Sequence, residues 1–243
     1  MHQIKKFSII TICRNEAAAI RATCDSVCAQ SFGDYEWIVI DGGSTDGTLK
    51  ILDDYEDNIK CLLSESDQGI YDAMNKGLRC SQGEHVIFMN AGDYFAGVDV
   101  LARVNDMPEA DLIVGNMVLK EKNELCEAPG QLPEGYLLRS MLPHQATFFK
   151  RSVFESFGLF DTSFRIAGDY EMYARLVESA KVSYSYIPVK ISVFTGGGIS
   201  SDRKQRCLRK RENHRVRKKY FKKYRYSWKC WRQEIRGLLR SGS

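Results

Sequence analysis

Residues His85 to Met89 form a run that is apolar apart from its first residue and stops abruptly at Asn90-Ala91-Gly92-Asp93. Such a run fits a strand buried on both faces, as in a parallel sheet covered by helices, better than one side of an exposed hairpin. In open α/β sheets, ligands settle in the crevice beyond the carboxyl ends of the strands. Asp93 therefore stands where a ligand would be met, and a hard cation carrying phosphates suits a carboxylate there. The competing reading is a turn that caps a helix starting near Val98.

The same pattern recurs upstream. Phe7 to Ile12 reads as a β-branched strand, with Asn15 as cap for a helix beginning at Glu16. Tyr35 to Ile40 reads as a second strand that ends at Asp41, in the turn Asp41-Gly42-Gly43-Ser44-Thr45-Asp46-Gly47-Thr48. Ser44 or Thr45 can cap the helix expected over Leu49 to Tyr55. Ile59 to Leu63 leads to Glu65-Ser66-Asp67-Gln68-Gly69 and then to a helix from Tyr71 to Cys80. Strands alternating with helices at this spacing predict a doubly wound, mostly parallel sheet. Three strands thus bring Asp41, Asp67 and Asp93 to one edge. Aspartate is common in turns and caps, but three neighbouring carboxylates repel unless ribose hydroxyls, amide donors of a base or a divalent ion offset them.

Downstream, Asp111 to Leu119 is a further strand and Glu121 to Pro133 a polar excursion. His144 to Phe149 alternates ahead of a short helix. Asp169 opens a helix that runs to about Ala180, with Met172, Leu176 and Val177 toward the core; taken alone, Asp169 is equally a helix N-cap. His144 is a candidate contact to acceptor or diphosphate, with a loop histidine satisfied by a carbonyl as its rival. Val182–Tyr186 and Val189–Phe194 are expected as two closing strands. Gly196-Gly197-Gly198 follows as a mobile flap or a plain linker.

A chain of 243 residues can form one sizeable α/β domain. Its eight cysteines show no metal-knuckle spacing, and the amino end runs into a strand without a leader, so reduced thiols in a cytosolic protein are expected. No apolar run approaches the ~18 residues of a membrane span. The net charge of +4 conceals a division: Arg203 to Arg240 hold 17 Lys or Arg against two Glu, a balance of +15, which leaves −11 for residues 1 to 202. The expected organisation is a domain over 1–202, with halves 1–110 and 111–202, and a basic tail over 203–243. In the tail, Val216, Tyr220, Tyr224, Trp228, Trp231, Ile235 and Leu238 recur at steps of three or four. That amphipathic pattern fits a peripheral tether to an anionic inner-leaflet surface; packing on the acidic body or on another subunit is the alternative. Basic residues among tyrosine and tryptophan also suit nucleic acid, but a carboxylate-lined cleft would then have no role.

The first loop, Cys13-Arg14-Asn15-Glu16, is neither a dinucleotide fingerprint nor a P-loop. Ser8 to Glu16, Asp41 to Thr48, Ser66-Asp67-Gln68-Gly69-Ile70-Tyr71-Asp72-Ala73-Met74-Asn75-Lys76-Gly77 and Met89 to Asp93 together resemble the family 2 glycosyltransferases of the GT-A fold, in particular those of bacterial surface-polysaccharide assembly. The resemblance spans about residues 7 to 200. It implies an inverting transfer of sugar from a nucleotide sugar, a UDP-sugar, to a lipid-linked or glycan acceptor at the inner face of the cell membrane. Thr11, Glu16, Asp41 and Asp67 would hold the nucleotide, with Asn90 and Gly197 also on the donor side. Asp93 would ligate Mg²⁺ or Mn²⁺, although Asn90 and Gly92 stand where carboxylates often do. Asp169 would be the general base, and Glu171 would orient it or the acceptor unless it lies on a solvated helix face.

Overall fold

The computed structural model describes residues 4–178, 182–196 and 205–225. Strand β1 (Phe7–Cys13) lies between two parallel partners, β2 (Tyr35–Asp41) and β4 (His85–Phe88), and β3 (Cys61–Ser64) extends the sheet beyond β2. The register sets Cys13 beside Asp41 and Asp41 beside Ser64, so these strands end level with one another. Past β4 come β5 (Tyr94–Phe95), β6 (Leu112–Leu119), β7 (Glu124–Cys126), β8 (Thr147–Lys150) and β9 (Tyr184–Phe194). The sheet order is β3-β2-β1-β4-β8-β6-β9-β5, with β7 on β6. β8 runs antiparallel to both β4 and β6, so the sheet is parallel in its first half and mixed in its second.

Both faces are covered, which explains the unbroken apolar strands. Ile10, Ile12, Ile38, Ile40, Val86 and Phe88 face the core beneath α3 (Ile70–Cys80), α5 (Arg151–Phe157) and α6 (Gly168–Glu178). Phe7, Ile9, Trp37, Val39, Ile87 and Met89 face α1 (Ile20–Cys28), α2 (Thr48–Leu52) and α4 (Val100–Asn105). Where α3 crosses β1, a Cβ on Gly77 would lie 2.4 Å from Ile10 Cγ2, so only glycine allows that approach.

Several boundaries differ from the sequence reading. α1 starts at Ile20, because Asn15 adopts a left-handed φ of 56° and Glu16 to Ala19 form a turn. The two expected closing strands are one strand, β9. Its pairing with β6 skips from Tyr186 to Lys190 around Pro188, which has no N–H to give the ladder. The seven described cysteines are free thiols. Among the described residues, no helix is long and apolar enough to cross a membrane.

The larger correction concerns the tail. Helices α7 (Arg206–Tyr220) and α8 (Lys222–Arg225) lie on α6, and Val216, Phe221 and Tyr224 enter the same core as Met172, Tyr173 and Leu176. The first half of the amphipathic stripe thus packs on the body, as in the alternative reading, and residues 206–225 belong to the domain. Trp228, Trp231, Ile235 and Leu238 lie outside the described residues, as does Gly197 with the expected flap.

Two outcomes follow for stability. Gly77→Ala should overpack the α3–β1 contact by about 1–3 kcal/mol and lower the melting temperature by about 2–4 °C per kcal/mol, read by calorimetry. Ending the chain at residue 204 removes three buried apolar side chains worth about 1.5–3 kcal/mol each, so melting should fall by at least ~10 °C; an unchanged melting point would show the tail to be a mere appendage.

Candidate active site

Loops at the carboxyl ends of β1, β2, β3 and β4 meet at one edge of the sheet. Asp41, fully buried, is the anchor of this edge. Its Oδ2 accepts the Gly43 and Ser44 amides at 3.1 and 2.9 Å and the Ser64 hydroxyl at 2.7 Å, while Oδ1 accepts the Ser44 hydroxyl. Burial works to raise its pKa, but these hydrogen bonds outweigh it and hold the carboxyl below its ordinary value. Asp41, expected among the residues that hold the nucleotide, is instead fully buried with both oxygens occupied in building the loop. Ser44 serves Asp41 and does not cap α2; Asp46 instead accepts from the Thr48 amide at 3.0 Å and its hydroxyl at 2.6 Å.

The first two loops are stitched together. The Asn15 amide donates to the Ser44 hydroxyl at 2.7 Å, its side-chain oxygen accepts the Thr45 amide at 2.9 Å, and the Glu16 amide donates to Thr48 Oγ1 at 2.8 Å. Beside them lies a narrow space: a Cβ on Gly42 would fall 2.2 Å from Asp67 Oδ2 and 3.2 Å from Arg14 Cδ. Gly42 thus lets the Asp67 carboxylate and the Arg14 side chain pack directly on the turn after β2. Lys76, from α3, braces the Asp67 loop through Glu65 at 2.9 Å and the Ser66 carbonyl at 3.0 Å.

Asp93 sits at the next opening. It is 4% exposed, with Oδ1 accepting the Thr195 amide at 3.0 Å and Oδ2 the Gln145 amide at 3.2 Å. Burial pushes its carboxyl up to about 6, the two donors act in the opposite sense, and the charge of Glu16 adds to the rise. Asn90 Oδ1 is buried with no hydrogen-bond partner among the described residues. Two hard oxygen donors, one of them unsatisfied, fit a Mg²⁺ or Mn²⁺ ion completed by diphosphate oxygens and water. The cluster of potential metal ligands at Glu84, His85 and Glu109 is at the opposite end of β4. There, Lys6 meets both glutamates at 2.9 and 2.6 Å, so an ammonium already serves that charge.

Asp169 begins the first turn of α6. Its Oδ1 accepts the Tyr71 hydroxyl at 3.1 Å and the Tyr170 amide at 2.8 Å; Oδ2 has no hydrogen bond among the described residues. Burial pushes this carboxyl too up to about 6, against the pull of those donors. Tyr71 follows the Asp67 loop by a few residues, so that loop and the turn carrying Asp169 are joined through one hydroxyl.

Three expected site residues are placed elsewhere. Thr11 is fully buried and its hydroxyl accepts the Trp37 indole N–H at 2.9 Å, because odd residues of β1 face α1 rather than the edge. His144 stacks on Phe88 at 5.2 Å amid Phe149, Phe160 and Tyr173, and burial lowers its pKa to about 4, so it is a neutral core ring. Glu171 is buried, not solvated: it accepts from Arg175 at 3.1 Å, from Lys219 at 3.4 Å and from the Tyr220 hydroxyl. Glu16 stays near Asp93 and Asp46, with its pKa raised by burial and then by Asp46. Sequence reasoning missed Arg14, Tyr71, Gln145 and Thr195. Arg14, Tyr71 and Gln145 lie within motifs already singled out, and Thr195 directly precedes the glycine run.

Comparison with known proteins accords with this geometry. Residues 8–163 match the model of "Glycosyl transferase family 2". A PGL/p-HBAD biosynthesis glycosyltransferase of Mycobacterium bovis is 32% identical over 203 residues, covering 80% of this chain and 79% of that protein. An uncharacterised glycosyltransferase of Mycobacterium tuberculosis is 35% identical over 178 residues, covering 69% and 67%. Among solved structures, Staphylococcus aureus TarS bound to UDP superposes with a TM-score of 0.67 at 19% identity, over 87% of this chain and 64% of that one. The mannosyltransferase PcManGT of Pyrobaculum calidifontis, in complex with GDP-Man and Mn²⁺, gives 0.62 at 21% identity, over 80% and 58%. The solved neighbours are thus longer than the part this chain matches. With its parallel half-sheet, its loop-borne carboxylates and this match over most of its length, the chain belongs to glycosyl transferase family 2, a glycosyltransferase of the GT-A fold.

Proposed function

We propose that the protein transfers a sugar from a nucleoside diphosphate sugar, of the UDP class, to a hydroxyl of a lipid-linked or glycan acceptor, with inversion at the anomeric carbon. The observation that carries this reading is Asp169: a half-buried carboxyl with one oxygen held and the other unengaged, coupled through Tyr71 to the loop that carries Asp67. A hydroxyl becomes a competent nucleophile as its proton is withdrawn, and Asp169 Oδ2 is the acceptor for that proton. A carboxyl at about 6 is ionised at neutral pH yet more basic than an ordinary aspartate. The Gly42 turn, with Arg14 and a half-exposed Asp67 packed on it, suits the nucleoside, since Asp67 can accept from base or ribose. Asp93 and Asn90 would hold Mg²⁺ or Mn²⁺, which when bound supplies the positive charge that offsets the departing diphosphate. The complexes of TarS with UDP and with UDP-GlcNAc support the choice of donor class.

The acceptor side points to a surface. Arg206, Lys210, Arg211, Lys218, Lys222 and Lys223 are exposed along α7 and α8, next to the helix that bears Asp169. Each cation near an anionic leaflet contributes about 1 kcal/mol, so this ridge suits peripheral association with the inner face of the cell membrane, where a lipid-linked acceptor would be presented. A nucleic-acid partner would leave the carboxylate cleft idle.

Screening UDP-sugars for turnover, read as UDP release with Mg²⁺ or Mn²⁺ present, tests the activity. Asp169→Asn keeps the oxygen that accepts from Tyr71 and Tyr170, so it should fold normally and lose at least ~100-fold in kcat, in line with the usual worth of a positioned base. The sign of its stability effect is also set. A carboxyl raised from 3.8 to about 6 is protonated longer in the folded chain, so its contribution is present below about pH 4 and lost as pH rises through 6. Asp169→Asn should therefore melt at or above the wild type at pH 7.5, and the acid limb of wild-type kcat should fall near pH 6. An acid limb near 4, or full activity in Asp169→Asn, would remove Asp169 from this role. Gly42→Ala should weaken UDP binding at least ~10-fold by calorimetric titration while melting within about 2 °C of the wild type, because Asp67 is half-exposed and can give way.

A further inference from the structure

Helix α7 carries one acidic residue, Glu212, among eight Lys or Arg. It does not serve as a surface ion pair. Glu212 is 6% exposed, with Oε1 accepting the Arg165 amide and Oε2 the Ile166 and Ala167 amides, each at 2.9 Å. These three N–H groups lie immediately ahead of α6, whose first backbone bond runs from Glu171 to the Ala167 carbonyl at 2.9 Å. The same short segment is held from its other side, since the Tyr71 hydroxyl is 2.7 Å from the Ile166 carbonyl. Asp169 comes two residues after Ala167. The contact is reciprocated further along, where Glu171 of α6 accepts from Lys219 and Tyr220 of α7. Two buried carboxylates therefore cross-link the helices, and one of them grips the turn that delivers Asp169.

We propose that Glu212 is a positioning residue for the acceptor-side base: the first tail helix fixes Asp169 by holding the three backbone N–H groups that precede it. This rests on the reading of Asp169 as the base. A carboxylate is the side chain such a turn requires, because it offers acceptors on both oxygens and no donor that would meet an N–H head-on. The arrangement also has an electrostatic consequence. The charged or titratable side chains facing Asp169 are Tyr71 from α3, Tyr173 from α6 itself and Glu212 from α7, and of these the negative charge of Glu212 adds to the upward push on Asp169.

The test uses the full chain with three variants, Glu212→Gln, Glu212→Asp and Asp169→Asn, and the UDP-sugar that gives turnover in the wild type. Glutamine has nearly the same shape but turns an N–H₂ toward either the Arg165 amide or the Ile166 and Ala167 pair, leaving at least one of the three amides without its acceptor. Amide hydrogen exchange, which needs no substrate, should then quicken at least ~10-fold over residues 165–167. With it, kcat should fall at least ~10-fold, the donor KM should stay within about twofold because the β1 to β4 loops are untouched, and the acid limb of kcat should move to lower pH. Glu212→Asp keeps the charge and both acceptors, so it should retain more kcat than Glu212→Gln and leave the acid limb near its wild-type position. Unchanged exchange at 165–167, or faster exchange with kcat and acid limb unmoved, overturns the proposal and leaves Glu212 a structural clamp. Loss of transfer in Asp169→Asn alongside an unaffected Glu212→Gln would reject the positioning role alone. Wild-type transfer in Asp169→Asn would reject the base and the positioning role together.

Discussion

The buried carboxylate of Asp41 is the interaction on which the edge of the sheet depends. An ionised group in a site without water is tolerable only when its lone pairs are met, and Asp41 meets them with two backbone amides and two serine hydroxyls. Each hydrogen bond to a charged acceptor contributes about 1.5–3 kcal/mol, and losing the acceptor would strand several donors at once. Because Ser64 ends β3 and Ser44 begins the turn after β2, one side chain fixes the relative height of two strands and the path of a loop. The first loop is then set in turn, through Asn15, Glu16 and Ala17 bonded to Ser44, Thr45, Thr48 and Asp46. Gly42 stands next to this anchor, so Asp67 and Arg14 pack on a fixed turn.

Environment, not residue type, divides the aspartates of the molecule into two kinds. Asp41 is held below the ordinary aspartate value because donors outnumber what burial can undo, whereas Asp93, buried, and Asp169, half-buried, meet fewer donors and rise to about 6. A carboxyl whose folded-state pKa is raised favours its protonated form, so neither raised group contributes to stability at neutral pH. Such groups persist where their chemistry is needed. Asp41 stabilises a frame; Asp93 and Asp169 are costs that the frame sustains, and they stand on different elements, one after β4 and one at the head of α6.

What was legible in the sequence follows from what each pattern encodes. Apolar runs ending in aspartate encode strand ends in a covered parallel sheet, and β1 to β4 with Asp41, Asp67 and Asp93 are where that pattern puts them. The pattern does not encode which face of a strand a polar residue joins when both faces are buried, and Thr11 turned inward to Trp37 for that reason. Nor does a histidine's sequence position reveal its own fate: Gln145 reaches Asp93 while His144, one residue earlier, is stacked among aromatic rings. Helix starts depend on hydrogen bonds formed between loops far apart in sequence. Asn15 and Ser44 had good capping chemistry for their own helices and used it elsewhere: Asn15 Oδ1 accepts the Thr45 amide, and the Ser44 hydroxyl donates to Asp41 while accepting the Asn15 amide.

The tail shows the same limit most clearly. An amphipathic stripe says that one face of a helix is covered but not by what, and lipid and protein impose the same period. The discriminating signal was electrostatic. Glu212 lies on the stripe, four residues before Val216 and eight before Tyr220, so the covered face of a strongly basic helix carries a carboxylate. A lone acid on that face would be repelled by an anionic leaflet and costly in hydrocarbon, but it is well matched by a row of unpaired backbone N–H groups at a helix start. The protein supplies that row at Arg165 to Ala167, directly ahead of α6. With the apolar residues and Glu212 turned inward, the cations are left outward, and one helix presents a basic ridge to the surroundings while its acidic residue holds the turn that carries Asp169.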